Sequence, residues 1–124
     1  MTKIDILNKL KELEKIIDID QVIILSGASL VLHDIIEETE DIDLACTKEY
    51  YDQLNWHEKT GAYGINIKEY SCFEIGYNLY FPNDVDIIDE YKCLNLKKCL
   101  EIKNMLNRDK DKTVIQILEN MIKD

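Results

Sequence analysis

Asp41 and Asp43 are the residues of this sequence whose type and spacing most directly suggest chemistry. They alternate with Ile42 and Leu44 in a segment that is typical of a β-strand. Because residues i and i+2 of a strand share a face, the two carboxylates are expected side by side, with the apolar residues in the core. Adjacent carboxylates repel each other unless a cation neutralises them, and oxygen ligands favour Mg²⁺ or Mn²⁺ over zinc. The pair therefore predicts a divalent metal centre suited to phosphoryl chemistry.

A second candidate segment is Ser26-Gly27, which ends a short β-branched run at residues 21–25. A glycine lets a phosphate approach the backbone closely, and the helix predicted at 28–34 would present free N–H groups at its start. Ser-Gly is usually only a turn, and Asp-x-Asp is usually a solvated strand or loop edge. Their combination, in the order strand, turn, helix, loop, strand, is far more specific than either motif alone.

The remaining segments must position these residues. Apolar residues recur at helical spacing in several stretches, and residues 64–88 are rich in strand-forming types with a Pro-Asn-Asp turn signal at 82–84. The predicted order is a mixed α/β domain covering 1–124, with a small mixed sheet flanked by helices, two of them C-terminal. The pattern predicts two or three strands within 64–88 and helices at 4–17, 48–56 with Thr47 as N-cap, 96–107 with Asn95 as N-cap, and 111–122.

The charge distribution is strongly uneven. The net charge is −10, and residues 1–96 carry 8 basic and 20 acidic side chains. Residues 97–112 reverse this balance with 6 basic and 3 acidic side chains. The overall acidity argues against a general nucleic-acid binder. The basic stretch is either a solvated helix face or a surface that meets a phosphate.

Other compositional features point to an intracellular protein. The four cysteines form no Cys-x-x-Cys pair, which argues against a zinc site and for free thiols in a reducing compartment. No segment approaches the roughly 20 apolar residues of a membrane span, and the N-terminal residues lack the apolar core of a signal peptide. We therefore expect a cytoplasmic protein with no membrane partner.

Two regions resemble the minimal nucleotidyltransferases of the polymerase-beta-like fold, including AbiEii-type toxins and the MNT partners of HEPN toxins. The first is Leu-Ser-Gly-Ala-Ser-Leu at 25–30, followed after a 13-residue spacer from Gly27 by Asp-Ile-Asp-Leu at 41–44. The second is the tail, with Tyr-Lys-Cys-Leu-Asn-Leu at 91–96 and Asn-Arg-Asp-Lys-Asp at 107–111. The resemblance covers about residues 22–118 and implies the nucleotidyltransferase fold.

The resemblance also implies roles for individual residues. Ser26 and Gly27 would bind the triphosphate, and Asp41 and Asp43 would bind Mg²⁺ or Mn²⁺. Family members often add a third acid from a later strand, as a metal ligand or base. Asp86 is the candidate for this metal-binding and catalytic role, with Asp84 and Asp89 as rivals.

The basic stretch adds two candidate nucleotide-binding residues, Lys103 and Lys110, each of which could instead lie at a surface helix end. The sequence departs from the family pattern at two places that are expected to contact phosphate. Ser26 replaces the usual first glycine, and Glu37 and Glu38 stand where a basic residue often precedes the acidic motif.

Three functions remain open at this stage. The first is a metal-dependent enzyme that transfers a nucleoside monophosphate from an NTP to a hydroxyl of a protein, tRNA or small molecule. By family analogy it would act in a toxin–antitoxin or phage-defence system, with a cognate toxin or antitoxin as partner. The second is a catalytically inactive protein of the same fold that acts as an antitoxin or regulatory partner. The third is an unrelated acidic module that binds a basic partner.

Overall fold

The computed structural model describes residues 1–122, which form five helices and seven strands in that part of the chain. Three single 3₁₀ turns lie at Ile19–Gln21, Ala62–Gly64 and Asp109–Asp111. The helices are α1 (Lys3–Leu13), α2 (Ser26–Leu32), α3 (Lys48–Gln53), α4 (Leu96–Leu106) and α5 (Lys112–Ile122). The strands are β1 (Ile23–Ile24), β2 (Ile42–Ala45), β3 (His57–Thr60), β4 (Asn66–Tyr70), β5 (Phe73–Gly76), β6 (Val85–Ile88) and β7 (Tyr91–Leu94).

All seven strands belong to one mixed sheet with the order β3-β4-β5-β2-β1-β7-β6. The central strand β2 is antiparallel to β1 and parallel to β5, and β1 is parallel to β7. The predicted mixed α/β class and the two C-terminal helices are confirmed. The predicted N-caps are confirmed as well, because Thr47 accepts from the Tyr50 N–H at 3.1 Å and Asn95 from the Lys98 N–H at 2.8 Å.

Two strands of the sheet lie outside the predicted segments. Strand β3 has the sequence His-Glu-Lys-Thr, and all four residues are exposed at the sheet edge, so it carries no hydrophobic alternation. Strand β7 follows β6 through a hairpin in which Asp89 and Glu90 both have positive φ, 49° and 75°. Such turns normally use Asn-Gly, Asp-Gly or Gly-Gly, and because Glu90 stands where a glycine is preferred the sequence did not indicate a hairpin here.

The two faces of the sheet are covered to different extents. One face packs on α1 and α2 through a core that includes Leu10, Leu44 and Ile75. The other face is covered by α4 and α5 at β1 and β7, where Ile23 and Leu94 contact their helices. Ile23 pairs with Ala45, so this second face also carries Asp43, two residues before Ala45. On that face, strands β5, β4 and β3 carry the charged side chains of Glu74, Glu69 and Lys59.

Candidate metal centre

The acidic motif and the start of α2 are neighbours because β1 and β2 are antiparallel. The chain leaves β1 where it enters β2, and the Leu25 N–H donates to the Asp43 carbonyl oxygen at 2.8 Å. Ser26 and Gly27 open α2, and both are half-buried. The structure thus places the start of α2 next to the strand that carries the Asp-x-Asp motif.

Gly27 has a packing role that does not depend on any ligand. A Cβ atom at this position would lie 2.9 Å from Oγ1 of Thr39, closer than such contacts occur. Thr39 is itself fixed, since its N–H donates to the Met1 carbonyl oxygen at 3.0 Å and its carbonyl accepts from the Met1 amino group at 2.6 Å. The glycine therefore allows the segment that precedes Asp41 to lie against α2.

The third carboxylate beside the aspartates belongs to Glu74 on β5. Asp43 and Glu74 are direct partners across the parallel strands β2 and β5, so their side chains share a face. One carboxylate oxygen from each of Asp41, Asp43 and Glu74 lies within 4.8 Å of the others. We call these three residues the carboxylate triad. Exposed acidic groups also cluster without a metal, but an all-oxygen set at this spacing suits a hard divalent cation such as Mg²⁺.

The surroundings of Asp43 disfavour the ionised form of its carboxyl group. Its side chain keeps an exposed surface, yet protein atoms crowd its carboxyl group. This desolvation, followed by the negative charges of Asp41 and Glu74, raises the pKa of Asp43 to about 6. The positive charges of Arg108 and Lys110 act in the opposite direction and lower it. The basic segment after α4 is therefore close enough to affect the acidic centre.

Lys59 supplies a cation to the triad from the neighbouring edge of the sheet. Its Nζ lies 3.2 Å from a carboxylate oxygen of Glu74 and 2.6 Å from one of Glu69 on β4. Sequence analysis identified neither Lys59 nor Glu74. The available signal for Glu74 was an acid between the buried Phe73 and Ile75, and only the strand order shows that it adjoins Asp43.

Asp86 lies away from the triad. It is on β6, at the far edge of the sheet from β5, where its Oδ2 is 2.9 Å from Nε2 of His33 at the end of α2. Its two rivals are also elsewhere: Asp84 is 3.8 Å from the Lys98 ammonium, and Asp89 lies in the β6–β7 turn. The structure thus brings Asp41 and Asp43 together with Glu74, and does not bring Asp86 to them.

The two predicted lysines have different environments. Lys103 is buried on α4, and its Nζ donates to Asp111 at 2.9 Å, so its charge is used inside the protein. Asp111 also accepts from Nε of Arg108 at 2.7 Å, and its pKa is lowered by these two bonds against the opposing effect of burial. Lys110 is exposed. Arg108 and Lys110 both carry positive charges that lower the pKa of Asp43.

Searches against protein-family models, curated proteins and solved structures find no match for this chain. Within residues 1–122, none of the helices combines the length and apolar character needed to cross a bilayer. The geometry of the triad and its surrounding cations is therefore the basis for a functional proposal.

Proposed function

We propose that this protein is a Mg²⁺- or Mn²⁺-dependent nucleotidyltransferase of the polymerase-beta-like class. It would transfer a nucleoside monophosphate from an NTP to a hydroxyl group of a protein, tRNA or small molecule. The observation that carries the proposal is the carboxylate triad, in which Asp41, Asp43 and Glu74 present oxygens within 4.8 Å of one another. Two of these residues belong to the motif that resembles that family, and the third comes from an adjacent parallel strand.

The charge pattern around the triad supports a ligand that contains both metal and phosphate. Three clustered carboxylates attract a cation, whereas Arg108 and Lys110 place positive charge on the side of Asp43. The triad would repel a free anion, and the basic segment would weaken, without preventing, the binding of a bare cation. A metal–triphosphate complex satisfies both groups of charges.

The proposed reaction assigns distinct tasks to the side chains. The acceptor hydroxyl oxygen attacks the α-phosphorus, the bond from that phosphorus to the β-phosphate bridging oxygen breaks, and pyrophosphate leaves while the hydroxyl proton passes to solvent. Asp41, Asp43 and Glu74 would hold the divalent ions, which neutralise charge on the phosphates. Ser26, Gly27 and Lys110 would contact the phosphate chain, with Arg108 as an additional cation. These residues act by positioning and charge stabilisation.

The proposal is tested by nucleotide binding. Thermal unfolding is followed with each of the four NTPs, without metal, with Mg²⁺ and with Mn²⁺, for the wild type and for Asp41→Asn and Asp43→Asn. A ligand at about 100 times its Kd that binds only the folded state adds about 2.7 kcal/mol of stability. We expect a Mg²⁺-dependent stabilisation by at least one NTP that both variants lose. The bound NTP, labelled on its α-phosphate, then serves to screen for a labelled acceptor.

Asp52→Asn is the matched control for charge loss. Asp52 is an exposed aspartate on α3 that pairs with Lys48 at 2.8 Å, and it is not part of the triad. This variant should respond to Mg²⁺–NTP as the wild type does. If no NTP stabilises the wild type with either metal, the enzymatic proposal is wrong and a non-catalytic partner-binding role takes its place.

A further inference from the structure

Lys59 occupies a position that connects the carboxylate triad to the outer strands of the sheet. It lies on β3, two strands away from β5, and its side chain reaches across β4 to Glu74. The same ammonium is held by Glu69 on β4 at 2.6 Å.

The backbone register explains why these charges meet. Glu69 pairs with Glu74, and Glu74 pairs with Asp43, so three acids form a row across β4, β5 and β2 on one face of the sheet. Lys59 pairs with Ile67, two residues before Glu69, and therefore belongs to the same face. A row of like charges on adjacent strands is unfavourable, and Lys59 offsets the repulsion.

We propose that Lys59 is an internal counter-ion of the metal centre, which competes with a divalent cation for Glu74 and retreats to Glu69 when the metal binds. This inference rests on the proposed function, because it takes the triad as a metal site. The three carboxylates fit a cation, since the Lys59 ammonium already contacts one of them, that of Glu74, at 3.2 Å. Glu69 is then the second partner that retains the displaced ammonium beside the site.

The competition between Lys59 and a divalent ion should weaken metal binding. A unit positive charge a few ångströms from a divalent ion opposes its binding, and this electrostatic cost exceeds the benefit of holding one glutamate rotamer in place. Lys59 therefore lowers the affinity of the centre for metal alone.

The test measures Mn²⁺ binding to the nucleotide-free protein by electron paramagnetic resonance. We expect Lys59→Met and Lys59→Gln to bind Mn²⁺ about three- to tenfold more tightly than the wild type, and Lys59→Arg to remain close to the wild type. Lys48→Met is the control, because it removes another exposed lysine that pairs with a carboxylate outside the triad. Circular dichroism verifies that each variant is folded. An affinity of Lys59→Met and Lys59→Gln equal to or weaker than that of the wild type would overturn the proposal.

Glu69 provides an independent arm. Glu69→Gln leaves Lys59 with Glu74 as its remaining carboxylate partner, so Mn²⁺ should bind more weakly in this variant. Part of that loss is simple charge removal, and the same substitution in a Lys59→Met background measures that part alone. We expect the loss to be at least twofold greater with Lys59 present. Equal losses in the two backgrounds would show that Glu69 does not act through Lys59.

The failure of this inference is distinguishable from the failure of the proposed function. If Mn²⁺ binds the wild type and Asp43→Asn abolishes the binding, the metal centre exists and the Lys59 variants decide the inference. If wild type, Lys59→Met and Asp43→Asn all fail to bind Mn²⁺, the metal centre itself is wrong, and the role of Lys59 is wrong with it.

Discussion

Asp43 and Glu74 are direct partners on the parallel strands β2 and β5, with their carboxylates on the same face of the sheet. Parallel pairing requires a long crossover, here the segment that contains α3, β3 and β4. Two acids placed opposite each other destabilise a sheet unless something compensates. Lys59 compensates in part, and the remaining repulsion is what a divalent ion would remove.

The ionisation of Asp43 is predicted to reduce the stability of the metal-free protein. Its pKa is about 6 in the folded state against an ordinary value of 3.8. A carboxyl group with a raised folded-state pKa favours folding below its unfolded pKa, and this contribution is lost as pH rises through the folded value. Stability in EDTA should therefore fall between about pH 4 and 6, and remain low at pH 7.

The Asp43→Asn variant should lack this loss. Urea unfolding at pH 7 in EDTA should show it more stable than the wild type by about 1 kcal/mol, after discounting the shift for the exposure of the side chain to solvent. Asp52→Asn should show no comparable gain. Equal stability of Asp43→Asn and the wild type at pH 7, with parallel pH profiles, would contradict the assigned electrostatic cost.

The identity of the third carboxylate can be tested with a matched pair of variants. Glu74→Gln should weaken Mn²⁺ binding by about tenfold or more, because it removes one of the three carboxylates proposed to hold the metal. Asp86→Asn should leave Mn²⁺ binding unchanged, since Asp86 contacts His33 on the other side of the sheet. Titration followed by electron paramagnetic resonance measures both. Weaker binding by Asp86→Asn with unchanged binding by Glu74→Gln would reverse this assignment.

The sequence predicted the parts of the site that are local in the chain. The shared face of Asp41 and Asp43 follows from strand periodicity, whereas their proximity to Ser26-Gly27 depends on the antiparallel pairing of β1 with β2, which is seen only in the sheet. Glu74 depends on which strand lies next to β2, which no local pattern specifies. Asp86 had an equally plausible local pattern, but β6 is four strands away from β5.

The environments of Lys103 and Lys110 also depend on contacts between distant parts of the chain. Lys103 and Lys110 both belong to the basic stretch, and their sequence context does not separate a buried ion pair from an exposed cation. The return of the chain after α4 brings Asp111 against Lys103, and this contact places Lys103 in a buried ion pair while Lys110 stays exposed. Strand β3 was missed because an exposed edge strand need not alternate polar and apolar residues.

Gly27 is predicted to be required for packing as well as for any ligand. Gly27→Ala should destabilise the protein by about 1–2 kcal/mol, because the new methyl group overlaps Oγ1 of Thr39 and a β-branched side chain yields little. The gain in helix propensity is smaller at the first turn than in a helix interior. Thr39→Ala should relieve the overlap and restore most of the loss in the double variant. Urea unfolding of the four proteins measures this coupling, and additive effects would show that the contact is not the cause.

The basic segment after α4 is predicted to bind the phosphate part of the ligand. Lys110→Met should weaken Mg²⁺–NTP binding by about tenfold, the effect of losing one charge-assisted contact, and Arg108→Met should weaken it further. Arg108 is the better ordered of the two, since Asp111 holds its Nε at 2.7 Å and leaves the other guanidinium nitrogens available. Its loss should therefore have the larger effect.

Lys112→Met is the control for this segment, because Lys112 is an exposed lysine that pairs with Asp109 at 3.1 Å. Calorimetric titration should give this variant the affinity of the wild type. The Arg108→Met and Lys110→Met substitutions should also raise the pKa of Asp43, since the two positive charges lower it in the wild type. If a substitution changed the nucleotide affinity and left the pKa of Asp43 unchanged, the phosphates would lie away from the triad. Unchanged affinity in Arg108→Met and Lys110→Met would exclude the segment from the binding site.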